Sequence, residues 1–144
     1  MKYKIYLYEP FINNEERKNV IKCIDSNWIS SKGKFIDLFE RKFKNYIKTK
    51  NAISVCNGTA ALHLALLALD IGKNDEVIVP TFTYIASVNA IKYVNAKVKF
   101  LDSKLQDWQI DDSQIEKNIT KRTKAVIVPH LYGQTCNIKK VKNI

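Results

Sequence analysis

Ala52-Ile-Ser-Val-Cys-Asn57-Gly58-Thr59-Ala60-Ala61-Leu62-His63-Leu64-Ala65-Leu66 carries two hydropathic patterns with a joint between them. Ala52 to Cys56 is a short apolar and β-branched run, the pattern of a buried strand. From Ala61 onward Leu62, Ala65, Leu66 and Leu69 recur at helical spacing, which predicts a packed helix. A strand that turns on Gly58 into a helix leaves the first-turn N–H groups outward, unpaired and at the positive end of the helix dipole, so the joint is suited to a phosphate. Thr59 is expected to cap the helix and to offer its hydroxyl to the same anion. The same joint also arises simply because glycine turns tightly and threonine caps, and the joint alone does not separate these readings.

The flanking chain extends the pattern. Upstream, Asn13-Asn14-Glu15-Glu16 before Val20, Ile21 and Ile24 predicts a helix over about 14–26. Trp28-Ile-Ser-Ser-Lys-Gly33-Lys34 interrupts it, and Phe35, Leu38, Phe39, Phe43 and Tyr46 resume helical spacing. Downstream, Asp70-Ile-Gly72-Lys-Asn-Asp75 is turn chemistry before the strand Glu76-Val-Ile-Val-Pro80. A helix with Ile85, Val88, Ile91 and Val94 on one face follows, then a strand at Lys97–Leu101 closed by Asp102. Asp111-Asp112-Ser113 opens a helix to about Ile119, and Lys124-Ala-Val-Ile-Val-Pro129 reads as a fourth strand running into His130-Leu-Tyr-Gly133. Strand and helix alternate from Ala52, which predicts an α/β fold with a mainly parallel sheet of about four strands, preceded by two N-terminal helices. Ligands of such sheets sit at the carboxyl ends of the strands, here marked by Asn57–Thr59, Pro80–Tyr84, Asp102 and His130–Gly133.

Composition narrows the classes. A 46% hydrophobic content with four glycines and three prolines is that of a globular chain. No apolar run reaches the ~18 residues of a membrane span, and Met1-Lys-Tyr-Lys-Ile-Tyr6 lacks the apolar core of a secretory leader, so a cytoplasmic location without membrane attachment is expected. Cys23, Cys56 and Cys136 are odd in number and far apart, which predicts reduced thiols and no metal site. The net charge of +10 raises nucleic acid as a partner, but the lysines are scattered and only Lys139-Lys140-Val-Lys142 clusters, so no nucleic-acid role is expected. His63 reads as a packing or surface residue, and His130, at a strand end, as a support beside a site.

Four segments, in order and spacing, are similar to the N-terminal part of the DegT/DnrJ/EryC1/StrS sugar aminotransferases: Trp28-Ile-Ser-Ser-Lys-Gly33, Asn57-Gly-Thr-Ala-Ala-Leu-His-Leu-Ala-Leu66, Asp75-Glu-Val-Ile-Val-Pro-Thr-Phe-Thr-Tyr84 and His130-Leu-Tyr-Gly-Gln134. The resemblance covers the chain from about Pro10. It implies part of the large domain of a type I pyridoxal-phosphate transferase over 52–144, after an N-terminal helical segment at 1–51. It implies pyridoxal 5'-phosphate as cofactor, with Gly58, Thr59 and Ala60 holding the phosphate and Tyr84 stacked on the pyridine ring. It implies a keto-sugar nucleotide as substrate near Trp28, Ser30 and Ser31, glutamate as amino donor, a homodimer, and a role in amino-sugar biosynthesis for polysaccharides or glycans. The Trp28–Ser31 and Trp108-Gln-Ile-Asp111 stretches suggest a 4-keto-6-deoxyhexose of the perosamine type.

One departure qualifies these implications. In the family the acid that keeps the ring nitrogen protonated and the Schiff-base lysine lie after the His-Leu-Tyr-Gly segment, and none of the lysines here stands in that context. The expectation is therefore a chain without catalytic residues of its own, inactive alone, binding the cofactor weakly. The competing expectation is a non-enzymatic remnant that binds a phosphate-bearing ligand or a partner.

Overall fold

The computed structural model describes residues 6 and 8–144. Apart from Tyr6, the N-terminal stretch read above for its lack of a leader lies outside the described residues. The chain divides into two compact units, one ending at Ser54 and the other beginning at Val55.

The first unit contains α1 (Asn14–Asp25) and α2 (Lys34–Ile47). Asn13 starts α1 with a full capping box: its side chain accepts from Glu15 N at 2.7 Å, and its own N–H donates to Glu16 Oε2 at 2.8 Å. Between the helices Gly33 takes φ 148°, a conformation closed to other residues, with the Trp28 side chain packed 3.5 Å from where a Cβ would stand. The helices expose apolar stripes, and neither contains a buried residue. Phe39 and Phe43 stack on each other at 5.6 Å.

The second unit runs α3 (Gly58–Ala68), β1 (Glu76–Pro80), α4 (Ile85–Tyr93), β2 (Lys97–Leu101), α5 (Ile115–Asn118), β3 (Thr123–Val126), a 3-10 turn at Leu131–Gly133 and α6 (Ile138–Lys142). The strands form a parallel sheet in the order β2-β1-β3, with Glu76 beside Lys97 on one side and Thr123 on the other. All five residues of the central β1 are buried, and alternation divides them between two cores. Val77 and Val79 pack with Leu66 of α3 and with Ala90 and Ile91 of α4. Ile78 faces the other way, toward Leu101, Ile110 and Ile115. The chain leaves β1 toward β2 through α4, then returns past β1 to β3 through α5, so the C-terminal end of β1 is a topological switch point.

Three expectations change. The strand expected over Ala52–Cys56 does not form, leaving three strands where about four were anticipated. Ile53 is 74% exposed, and the N–H and hydroxyl of Ser54 both donate to Glu40 Oε1, at 2.8 and 2.9 Å, in place of a neighbouring strand. The helix expected from Asp111 starts only at Ile115, because Asp111 accepts from the backbone and hydroxyl of Ser113 and from the Gln114 amide, locking a turn first. The ladder at β3 stops at Val126 rather than Pro129, although Ile127 N–H still reaches Ile78 O at 2.8 Å.

Candidate cofactor site

The joint at the start of α3 is built as a helix N-terminus, with one change from expectation. Asn57, not Thr59, is the cap: its backbone is extended and its Oδ1 accepts from Ala60 N at 2.9 Å. Ala61 N–H donates to Asn57 O. The N–H groups of Gly58 and Thr59 take part in no hydrogen bond among the described residues. A Cβ placed on Gly58 would meet nothing within 4 Å, so there is open space beside the first turn of α3. Of the three residues expected to hold an anion, Gly58 and Thr59 present free donors, whereas the Ala60 N–H is already satisfied by Asn57.

These residues share one helix neighbour with the expected ring platform. Asn57, Thr59, Ala60 and His63 of the α3 segment line a cleft of about 360 Å³ with Asn89 and Tyr93 of α4. His63 meets Tyr93 edge-on at 5.5 Å, a packing role as expected. Tyr84 stands at the N-cap of the same α4, 75% exposed and without a side-chain capping bond, so its ring face is open. The turn leading to it is fastened at both ends: Thr81 N–H donates to Leu101 O at 2.8 Å, and the hydroxyls of Thr83 and Ser87 lie 3.4 Å apart. Open donors for a phosphate and an open aromatic face on the neighbouring helix fit a flat, phosphorylated, aromatic cofactor.

The other strand ends are held by the segment between β2 and α5. The rings of Trp108 and Phe82 lie 5.3 Å apart, and the Gln109 side chain, 1% exposed, donates to Leu131 O at 3.4 Å. Lys104 bridges Asp107 at 3.4 Å and Asp112 at 3.5 Å. Burial works to lower the Lys104 pKa, but Asp112 and Asp107 outweigh it and hold the ammonium above the ordinary lysine value. Burial, with the Asp112 charge, pushes the Cys136 thiol up, so it stays protonated. His130 is exposed at the entry to the 3-10 turn. Among the described residues no group of three or more His, Cys, Asp or Glu side chains could hold a metal, and no helix is long and apolar enough to cross a membrane.

In the first unit Trp28, Ser30 and Ser31 are all exposed. Trp28 and Ser30, but not Ser31, border a cavity of about 550 Å³ that Lys22, Lys32, Lys34 and Phe35 also line.

A family model for the DegT/DnrJ/EryC1/StrS aminotransferases matches residues 10–144. The chain belongs to this family. It is 52% identical over 141 residues to GDP-perosamine synthase of Escherichia coli O157:H7, covering 98% of this chain and 38% of that protein. It is 44% identical over 123 residues to the dTDP-3-amino-3,6-dideoxy-alpha-D-galactopyranose transaminase of Aneurinibacillus thermoaerophilus, covering 85% of this chain and 34% of the other. Among solved structures, Spr1654 from Streptococcus pneumoniae in its PMP-form, assigned as a sugar aminotransferase, superposes with a TM-score of 0.90 at 32% identity, over 99% of this chain and 36% of that one. The chain thus spans 38% of the length of GDP-perosamine synthase and corresponds to the N-terminal part of such family members. The fold is that of the corresponding part of these aminotransferases.

Asn57 and Trp108 are the residues whose local roles the sequence reading missed. The signal for Asn57 was present: asparagine is a stronger helix cap than threonine. Nothing local marks Trp108 as the neighbour of Phe82, since that pairing depends on strand order.

Proposed function

We propose that the chain is the cofactor-cradling front part of a pyridoxal-phosphate-dependent aminotransferase that transfers an amino group from glutamate to a keto-sugar nucleotide, in amino-sugar biosynthesis. The observation that carries the reading is the pair of unengaged N–H donors at Gly58 and Thr59, with open space at the Gly58 Cβ position, on a helix packed beside the one that bears the open ring of Tyr84. The relatedness to GDP-perosamine synthase favours a GDP-linked 4-keto-6-deoxyhexose as the substrate.

In this reading the Gly58 and Thr59 donors and the α3 dipole hold the phosphate, with Ala60 joining if Asn57 gives way. Tyr84 fixes the plane of the pyridine ring and keeps water from one face. When bound, the cofactor serves as the electron sink for the carbon that gains or loses the amino group. The cavity beside Trp28 and Ser30, with Ser31 on the same loop and lysines at its rim, suits the anionic nucleotide sugar. Residues 52–144 act as part of the large domain and 1–51 as its helical forepart, within a cytoplasmic homodimer. Because no lysine here stands in the family's catalytic context, the 144 residues alone bind the cofactor weakly and do not transfer amino groups.

The test uses pyridoxamine 5'-phosphate, which cannot condense with surface lysines, against unphosphorylated pyridoxamine. The protein should prefer the phosphorylated form. Gly58→Pro removes one free donor at the first helical position, where proline is tolerated, and should weaken binding by on the order of tenfold with the helix content kept. Equal binding of the two forms, or an unaffected Gly58→Pro protein, rejects the phosphate role.

A further inference from the structure

Trp108 has φ 61°, in the left-handed region, where a bulky aromatic residue is rare. Such a backbone persists only when its surroundings over-determine it, and it clusters at functional sites. Here the surroundings do so. Trp108 N–H donates to Lys104 O at 2.9 Å, Lys104 N–H to Gln109 O at 2.8 Å, and Gln109 N–H to Asp107 Oδ1 at 3.0 Å. Ser103 and Ile110 form an antiparallel bridge at the base of the loop, and Lys104 is paired with Asp107 and Asp112. The buried Gln109 side chain donates to Asp107 O at 3.2 Å and to Leu131 O beyond β3. This closed loop leaves the indole 55% exposed, with its ring against Phe82.

Phe82 is the middle of the turn between β1 and α4. Thr81 is fastened to β2 and Thr83 lies against Ser87, so the indole is the lateral support of the residue between them. Tyr84, two residues on, accepts from Ser87 N–H through its backbone carbonyl at 3.1 Å, but its side chain makes no hydrogen bond or ring contact among the described residues. Its ring direction is therefore inherited from the turn. We propose that Trp108 is a positioning residue, whose strained backbone presses the indole against Phe82 and so sets the ring of Tyr84 for the flat aromatic group that stacks on it. This rests on the cofactor reading for the identity of that group, but not for the effect of Trp108 on Tyr84.

The experiment labels the protein with 3-fluorotyrosine and follows Tyr84 by fluorine NMR, its signal assigned by Tyr84→Phe among the seven tyrosines. Trp108→Gly accepts the positive φ without strain, so its melting temperature should stay close to that of the parent while the Tyr84 signal shifts and sharpens. Affinity for pyridoxamine 5'-phosphate should fall by about tenfold, the scale of losing one such fixed geometry. Trp108→Phe should retain the stack, the signal and the affinity. Phe82→Leu keeps bulk but removes the ring, and should repeat the Trp108→Gly signature, deciding the matter if that variant does not fold. An unmoved Tyr84 signal in both Trp108→Gly and Phe82→Leu overturns the proposal, as does affinity that falls only in step with melting temperature. If the parent does not bind pyridoxamine 5'-phosphate yet the Tyr84 signal responds to Trp108→Gly, the cofactor reading fails and the positioning role stands.

Discussion

Ala52–Cys56 and Glu76–Pro80 are similar runs of sequence with different fates. Each is a short β-branched stretch that ends in a turn and a helix. Glu76–Pro80 becomes β1, every residue buried, with a parallel neighbour on both sides. Ala52–Cys56 forms no strand; Ile53 is 74% and Val55 39% exposed, and a glutamate takes the Ser54 donors. The difference shows that β-propensity describes fit to a pleated neighbour rather than a property of the run itself. Where neighbours on both sides exist, the run is a strand; where the described residues offer none, the same chemistry settles for a side-chain partner.

The largest expected effect tests this directly. Ile78, 0% exposed and packed against Leu101, Ile110 and Ile115, should cost about 2–5 kcal/mol when changed to alanine. Ile53→Ala should stay within about 0.5 kcal/mol, as for an exposed side chain. Urea unfolding of the two variants measures both. Comparable losses would mean that Ile53 is buried against something and that the contrast between the runs is false.

The helices that follow the two runs differ as well. Asn57 caps α3 through its side chain, whereas Tyr84 begins α4 with no side-chain capping bond. Asn57→Ala should therefore lower stability by about 1 kcal/mol. Tyr84→Ala, which removes an exposed ring and no cap, should cost less, about 0.5 kcal/mol or under. The same denaturant series reads both, and a larger loss at Tyr84 would show that its ring is held by more than the turn.

What was legible in the sequence follows the same division. β1 was read with its observed bounds because a buried parallel strand writes itself as a continuous β-branched run, whereas β2, a partly exposed Lys-Val-Lys-Phe-Leu run, was bounded by the Asp102 that closes it. The parallel order of the three strands that form was also legible, since alternation of strand and helix implies it, but Asn57–Thr59 follows no strand. The false strand at Ala52 was misread because hydropathy records what a run could do and not whether a neighbour is present. The late start of α5 was hidden in Asp111, whose side chain competes with the helix for local donors. At the candidate site Gly58, Thr59 and Tyr84 were read from turn chemistry and the family resemblance. The Phe82 and Trp108 pair was not, because the two lie on loops after different strands and meet only once those strands are adjacent.

The smallest expected effects come from the two carboxylates that anchor the two runs. Glu76, at the head of β1, accepts from the Thr120 hydroxyl at 2.8 Å and from Arg122 at 3.1 Å, with Lys97 at 3.4 Å. Its pKa is lowered from the ordinary 4.5, chiefly by the Thr120 hydrogen bond and, against the opposing effect of burial, by Lys97 and Arg122. Glu40 is lowered by the backbone and then the hydroxyl hydrogen bond of Ser54. A depressed folded-state pKa stabilises the fold fully above the unfolded value and loses that contribution as pH falls through the folded one. Both contributions should thus be intact at neutral pH and fade below about 4.5, the ordinary glutamate value. They should fade in different observables. Glu76 ties β1 to the segment before β3, so protonation should weaken global unfolding, and Glu76→Gln should flatten the acid limb of stability against pH. Glu40 holds only an unpaired segment, so Glu40→Gln should leave global stability unchanged at every pH and accelerate hydrogen exchange at the Ser54 amide alone. An acid limb that flattens equally in the two variants would place Ala52–Cys56 in the cooperative structure, and the run would then count as part of the fold despite lacking a strand.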